Sequence, residues 1–368
     1  MFVGDTKCKR LVETLRDEIL RGKYNAQNPL PSIRALIGRT GLSSSTVRHA
    51  FDELEHGGLI VRSRGKGTFV TRVAVSRKIG LLIPRKGYSE FFQPVIGEIS
   101  RLAQQHGYSL LFGEMAAQDP ERRARATVRL ARDMVRQGVS GVIFQPNEGV
   151  GDAEAINRSV VSIFREAGIA VVLCDYDLVA PPERSDCDVV GSNNFEAGMR
   201  VAEHLFASGA RKLRFVLPPH AAVSHLNRCR GALSMAGMRG VGFRCEPLEA
   251  DPKDVAALRR SLRRSRPDAF VCCNDKCAAE LLRTLDRLGL RVPDDVLLAG
   301  FDDLAIASLL IPSLTTIHQP CEKIARTAFE RLLQRIAHPE LDPMKIVLDA
   351  PLVVRESSDG SKWRRRRK

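Results

Sequence analysis

The 368-residue sequence has no run of 18 apolar residues and no charged-then-apolar pattern at its N-terminus, so a cytosolic chain without a membrane segment is expected. It also lacks the signatures that mark many α/β enzymes. There is no G-x-G-x-x-G after a predicted strand, no G-x-x-x-x-G-K-[ST], no H-E-x-x-H and no G-x-S-x-G. Gly65-Lys66-Gly67-Thr68 is superficially similar to a phosphate loop, but the upstream glycine and the following helix are missing. An α/β enzyme acting on a sugar or nucleotide, with an accessory nucleic-acid-binding head, is therefore only the alternative reading; no cofactor and no catalytic residue is expected. Cysteine is not scarce, but the nine present are expected to be reduced thiols in a cytosolic chain. Their densest group, Cys272, Cys273 and Cys277, has no His beside it in sequence and lies where an apolar strand runs into a helix. It reads as core packing and not as a zinc site, so no metal is expected.

Acidic residues are few at both ends. Residues 1–77 carry 14 Lys and Arg against 7 Asp and Glu, and residues 362–368 add six more positive charges. The formal net charge of the whole is +14, so the residues between are close to neutral. A basic head on a nearly neutral body suits a DNA-binding module joined to a sensor. The terminal run, Trp363 followed by four Arg and Lys368, reads as a solvated tail. With 44% hydrophobic residues the chain is long enough to bury more than one core.

The pattern from Pro31 to Val70 predicts two short helices and a basic hairpin. Ile33, Leu36 and Ile37 share a face of the first helix, which Gly41 stops. Ser43 to Ser45 offer an N-cap for a second helix with Val47, Ala50, Phe51 and Leu54 at i, i+3, i+4 and i+7. Its opposite face presents Ser44, Ser45 and Arg48, short hydroxyls and a guanidinium suited to phosphates and guanine edges in the major groove. Gly57 and Gly58 end this helix. Strands at Leu59 to Val61 and Thr68 to Val70 then flank a tip bearing Arg62, Arg64 and Lys66 among glycines. An earlier helix, Lys7 to Arg21, carries Cys8, Leu11, Leu15 and Ile19 on the face that would roof this core.

Three motifs run through this segment: Leu30-Pro31-Ser32-Ile33-Arg34, Leu42-Ser43-Ser44-Ser45-Thr46-Val47-Arg48 and Gly65-Lys66-Gly67-Thr68-Phe69-Val70. Over about residues 5–71 their order resembles the GntR-family winged helix-turn-helix domain. The resemblance implies that Arg34, Ser44, Ser45, Thr46, Arg48 and Lys66 face double-stranded operator DNA. Ile33 stands where that family often has an acidic residue, and Ser45 where it often has Arg or Thr.

Beyond a short linker, strands and helices alternate. Strands are expected at Lys78–Ile83, Ser109–Phe112, Gly141–Phe144 and Ala170–Cys174, then at Lys212–Val216, Ala269–Cys273 and Val296–Leu298 running on to Gly300. Helices are expected near Gln93–His106, Arg122–Gln137, Glu154–Ala167, Phe195–Ser208, Ser224–Ala236, Val255–Arg264 and Lys276–Leu288. Two such runs predict an α/β body of two doubly wound parallel-sheet lobes, with ligand groups just after the strands. Those positions hold Asp175, Asn274 and Asp302, whose carboxylates and amide suit a hydroxyl-rich ligand. Arg228, early in its helix, could add donors, and Phe91 and Phe92 could stack on a sugar ring. For Asp275 and Asp303 a helix N-cap or capped turn is the simpler reading. Such a set is compatible with pentose, hexose, uronate and purine alike.

Further motifs in the body are Ile79-Gly80-Leu81-Leu82-Ile83-Pro84, Gly168-Ile169-Ala170-Val171-Val172, Asn193-Asn194-Phe195-Glu196-Ala197-Gly198, Ala299-Gly300-Phe301-Asp302-Asp303 and Leu314-Thr315-Thr316-Ile317-His318-Gln319-Pro320. With Asn274-Asp275, and Arg228 three residues before Gly231, they make residues 78–357 resemble the effector domain of the LacI and GalR repressors, a type I periplasmic-binding-protein fold. The resemblance implies that Asp175, Arg228, Asn274, Asp302 and Gln319 contact a small sugar-like effector, and that the protein is a homodimer. That family's own helix-turn-helix and hinge helix are absent here. The expected organisation is a winged helix-turn-helix at 1–71, a linker at 72–77, a two-lobed effector domain at 78–357 and a basic tail at 358–368. The expected function is a transcriptional repressor of carbohydrate-utilisation genes.

Overall fold

The computed structural model describes residues 3–360 apart from 21–22, 25–27, 64–66, 72–77, 84–90, 114–119, 149–151, 180–181 and 220. The expected linker, Lys66 at the wing tip and the tail from 361 onward lie outside the described residues. The chain divides into two compact units. Met1–Tyr88, Ile96–Val189 and Ala325–Lys345 make unit 1, and Ser89–Val95, Val190–Ile324 and Ile346–Lys368 make unit 2.

In unit 1 the head is built from α1 (Val3–Leu20), α2 (Ile33–Thr40), α3 (Ser44–His56) and the hairpin β1 (Ile60–Ser63) and β2 (Gly67–Val70). Ser32 caps α2 by accepting from the Ala35 amide, and Gly41 closes it in the left-handed conformation at φ 67°, where a side chain would be strained. Ser43 caps α3 by accepting from the Thr46 amide. The predicted apolar faces meet in one core: Cys8, Leu11, Leu15 and Ile19 from α1, Leu36 from α2, and Val47, Ala50, Phe51 and Leu54 from α3. Ile33 and Ile37 are only partly buried at its edge. The wing is antiparallel, Ile60 opposite Val70 and Ser63 opposite Gly67.

A six-stranded sheet follows, four of its strands lying wholly in unit 1. Its strands are β3 (Lys78–Leu82), β4 (Ser109–Phe112), β5 (Gly141–Phe144), β6 (Ala170–Cys174), β7 (Asp188–Ser192) and β13 (Lys345–Leu348), in the order β13-β7-β6-β5-β3-β4. β3 pairs in parallel with β4 and β5, and β5 with β6. Helices α4 (Phe92–Gln105), α5 (Pro120–Arg136), α6 (Ala153–Glu166) and, near the C-terminus, α12 (Cys321–Ala337) accompany it. β7 starts on Asp188, a fully buried carboxylate that accepts from Arg331 at 2.8 Å and Arg335 at 2.9 Å, both on α12, and from the Met344 amide. Removing either arginine would leave buried charge unbalanced.

Unit 2 has a four-stranded, all-parallel sheet of β8 (Lys212–Leu217), β9 (Arg244–Glu249), β10 (Ala269–Cys272) and β11 (Leu297–Ala299), in the order β11-β10-β8-β9. Its helices are α7 (Asn194–Ala207), α8 (Val223–Arg239), α9 (Val255–Arg264), α10 (Asp275–Arg287) and the short α11 (Ala305–Leu309). A small antiparallel pair, β12 (Thr316–Ile317) with β14 (Leu352–Val353), completes it. Cys272, Cys273 and Cys277 are buried in this core among Phe215, Phe270 and Phe301. The thiols are not without a histidine after all, because His225 on α8 lies beside Cys273. Sequence distance hid that neighbour. Hydrogen bonding to Cys277 and burial push the Cys273 thiol well up, so it stays neutral.

Helices α7 and α8 touch backbone to backbone. A Cβ on Gly198 would lie 1.9 Å from the Arg228 carbonyl oxygen, and one on Gly231 would lie 1.9 Å from that of Phe195. No rotamer relieves such an overlap, so the axes must separate. Gly231→Ala is expected to destabilise unit 2 by more than about 2 kcal/mol. Thermal unfolding followed by circular dichroism checks this; an unchanged midpoint would contradict the packing.

Candidate functional site

At the head, Ser44, Ser45 and Arg48 lie exposed along the start of α3, Arg34 is exposed on α2, and Thr46 is half-buried. The Ser43 hydroxyl stands 2.9 Å from that of Ser45 and 2.8 Å from that of Thr46, so the hydroxyls form one connected cluster at the helix N-terminus. A helix start with free amides and hydroxyls is a ready phosphate contact. One wing cation is already committed: Arg62 bonds Glu55 at 2.7 Å and Asp52 at 2.6 Å, both on α3. Hydrogen bonding to Arg62 holds the Glu55 carboxyl below its ordinary range. That clasp fixes the wing against the recognition helix.

In unit 2 the strand-end residues converge on Arg228, which is buried. Its Nε donates to Asn194 Oδ1 at 2.8 Å, its Nη1 donates to the Cys273 carbonyl at 2.7 Å, and its Nη2 is 3.0 Å from Asp302 Oδ1. The guanidinium also lies 4.8 Å above the Phe301 ring. Asp302 sits at φ 105°, and its amide donates to the Ile317 carbonyl, which brings β12 and Gln319 alongside. Gln319 is buried and accepts through Oε1 from the Ser192 hydroxyl at 2.7 Å. Asn274 uses Oδ1 to cap α10 at the Cys277 amide, so its amide nitrogen is the end that can address a ligand. Phe91 and Phe92 are buried and pack edge-to-face against each other, with centroids 4.7 Å apart.

Three members of this cluster were not expected from the sequence. Ser192 closes a strand that the alternation did not show. Asn194 was read only as part of the run that opens a helix. His225 shares a face of α8 with Arg228 at i, i+3, a signal that was available.

Asp275 and Asp303 are structural, but neither is a helix cap. Asp275 accepts from Thr316 Oγ1 at 2.6 Å and from the Leu304 amide at 2.8 Å, while the N-cap is Asn274. A Cβ on Gly300 would lie 2.5 Å from Asp275 Oδ1, so glycine makes room for the carboxylate. Asp303 pairs with Arg355 at 2.6 Å and with His318 at 2.9 Å.

In unit 1 Asp175 is half-buried at the end of β6, with φ 80°. Gln145, just after β5, is buried with no hydrogen-bond partner for Oε1. Asn147 beyond it is locked to Asn157, whose Oδ1 accepts from its amide at 2.7 Å. A cavity of about 440 Å³ in unit 1, lined by Gly57, Leu59, Arg165, Arg335 and Leu341 among others, contains none of the expected site residues.

A winged helix-turn-helix ahead of a parallel α/β body with polar groups gathered at its strand ends defines a DNA-binding transcription regulator. Residues 7–70 match the model of the bacterial regulatory proteins of the gntR family, and residues 202–358 match that of the periplasmic binding protein-like domain. The chain is a GntR-type head fused to a LacI/GalR-type, periplasmic-binding-protein-like effector domain. It is 26% identical to an arabinose metabolism transcriptional repressor of Geobacillus stearothermophilus, over 96% of this chain and 97% of that repressor. It is 25% identical to the transcriptional repressor PurR of Mannheimia succiniciproducens, over 89% of this chain and 98% of the other. In fold it is similar to a periplasmic binding protein/LacI transcriptional regulator from Alkaliphilus metalliredigens complexed with D-xylulofuranose. That match has a TM-score of 0.62 at 23% identity and covers 77% of this chain and 99% of the other.

Burial, with the charges of Asp302 and Asp303 adding to it, pushes the Asp275 carboxyl up to about 7, against the opposing bonds from Thr316 and Leu304. An unfolded Asp titrates near 4, so the native state holds this proton more tightly. The stability linked to it is complete below about pH 4 and is lost as pH rises toward about 7. Asp275→Asn keeps an acceptor for the Leu304 amide and a donor for Thr316. Thermal midpoints measured from pH 4 to 8 should fall less steeply in this variant than in the parent; parallel curves would show that Asp275 does not carry the dependence.

Proposed function

We propose that the protein is a cytoplasmic, homodimeric repressor of carbohydrate-utilisation genes whose operator binding responds to a small sugar-like effector. The observation that carries the reading is the pairing, in one chain, of an exposed hydroxyl-and-arginine helix start with a buried cluster centred on Arg228 and Asp302. The named role of the Geobacillus relative in arabinose metabolism, and the sugar in the Alkaliphilus structure, support it. No helix among the described residues is long and apolar enough to cross a membrane. The residues assigned to DNA are Arg34, Ser44, Ser45, Thr46, Arg48 and Lys66. Those assigned to the effector are Phe91, Phe92, Asp175, Arg228, Asn274, Asp302 and Gln319.

Two heads in a dimer would meet a pseudo-palindromic operator, one half-site each. An effector that binds one arrangement of the body better than another shifts the population toward it, and its influence on the operator is bounded by that difference in affinity. Positively charged heads bind phosphates by releasing counterions, so affinity should fall steeply with salt.

Gel-shift titrations with and without a panel of sugars test the reading. Operator affinity should change with at least one of them, and indifference to all would refute the sensor. Arg48→Ala should weaken operator binding by about 10- to 100-fold, as expected for losing one base-reading arginine. Because Arg48 is exposed, its loss should leave the thermal midpoint in place.

A further inference from the structure

We infer that the head is seated on the segment that follows α12 by one buried cation, Arg16, and that this seat fixes the direction in which the head presents its DNA-reading face. The inference rests on the regulator reading above and deepens it by naming the surface that orients the head.

Arg16 lies on α1, next to Leu15 and beside the face that fills the core of the head. A guanidinium on the surface of a free head belongs in water, yet Arg16 is only 4% exposed. Its polar neighbours come from the far end of the chain. Nη1 donates to His338 Nδ1, 322 residues away, and Nη2 lies 3.6 Å from Glu340 Oε1. Glu340 Oε1 is also 3.3 Å from His338 Nδ1, so guanidinium, ring and carboxylate form one cluster. Both sides of this contact belong to unit 1.

The surface beneath is stiff. Residues 338–342 follow α12, and their carbonyls are stapled by two arginines of that helix. Arg335 donates to the carbonyls of Pro339 at 3.0 Å and Asp342 at 3.1 Å, and Arg331 donates to that of Asp342 at 2.7 Å. Both arginines are held in turn by buried Asp188 at the start of β7. A head resting on this segment takes its direction from α12 and β7.

Elsewhere the joint is loose. The turn between α3 and β1 faces the α/β part of unit 1 across the cavity of about 440 Å³, with Gly57 and Leu59 on one side and Ile169, Ile336 and Leu341 on the other. Apolar packing does not close that side. Arg16 itself keeps Nε and Nη2 without a hydrogen-bond partner, and unmet buried donors weaken a contact. The seat therefore depends on few groups, and one substitution is enough to release it.

Seating leaves the reading face open, because Arg34, Ser44, Ser45 and Arg48 are exposed while Arg16 is buried. The contact orients the head and does not mask it. In a dimer, two heads held in fixed directions meet two half-sites with less loss of freedom than two heads on loose tethers.

Hydrogen exchange on the full-length protein reads the seat directly. Arg16→Ala, a change on the head, should speed exchange of the amides at 335–343 by about tenfold, while those of β3 and β5 keep their protection. In the reverse direction, His338→Ala combined with Glu340→Ala should speed exchange at residues 12–20 of the head. Unchanged exchange across the joint in both directions overturns the seat. If Arg16→Ala fails to fold, the double variant alone decides.

The effect on DNA is read with an operator duplex selected by the parent protein from random sequence, and with the same duplex cut to one half-site. Arg16→Ala should bind the full operator about tenfold or more weakly than the parent, and the half-site within about twofold of it. Equal affinity of parent and variant for the full operator overturns the orienting role. A parent that gains nothing from the second half-site refutes the dimer reading instead, and the exchange experiment still decides the seat.

Discussion

A guanidinium cannot be buried alone, and Arg228 is buried where the strand ends of unit 2 meet. Its donors are met by acceptors from three separate elements: Asn194 opening α7, the Cys273 carbonyl past β10, and Asp302 past β11. These positions are up to 108 residues apart in sequence, yet all three meet the same cation. Removing one partner of such a buried set typically costs roughly 3–5 kcal/mol, since the charge left behind has no water to turn to. The site is therefore assembled by the same interaction that stabilises the surrounding fold. Its spare hydrogen-bonding capacity, at Asp302 Oδ1 and Gln319 Nε2, is what the folded chain leaves for something else.

Backbone conformation reinforces that division between structure and use. Asp175, Asp302 and Asp303 all hold positive φ angles, 80°, 105° and 52°, in a region that side chains ordinarily avoid. Such residues cost of order 1–3 kcal/mol each and persist only where their surroundings over-determine them. For Asp303 the surroundings are visible, an arginine on one carboxylate oxygen and a histidine on the other. Asp302 is held through its amide and its contact with Arg228, and it alone of these two keeps an oxygen without a hydrogen-bond partner.

Much of the architecture was legible in the sequence because it follows from local pattern. Ser109–Phe112, Gly141–Phe144, Ala170–Cys174 and Val255–Arg264 fall where alternation placed them, and the faces of α1 and α3 bury the residues their spacing selects. What escaped was set by distant partners. β7 opens on a charged residue, Asp188, and becomes a buried strand only because Arg331 and Arg335 reach it from more than 140 residues away. β9, Arg244–Glu249, contains Pro247 and two glutamates, and it exists as the edge strand of its sheet, where proline is tolerated. At the site, Arg228, Asn274 and Asp302 could be read from their places after strands or early in helices. Ser192, at the end of unread β7, could not. Asp275 misled because a carboxylate at a helix start resembles a cap, whereas its oxygens are taken by Leu304 and Thr316 from later in the chain.

The contact at Gly198 and Gly231 has a mechanical meaning. Where two helices meet through side chains, a soft layer lies between them that can shear or repack; here carbonyl oxygens press directly against α-carbons and there is no such layer. Helices α7 and α8 consequently behave as one stiff plank carrying Asn194 and Arg228 on its inner side. Val223, Leu226 and Leu233, apolar and partly open on α8, ride on the same plank. A displacement of the inward guanidinium that moved this plank would carry that apolar outer rim with it.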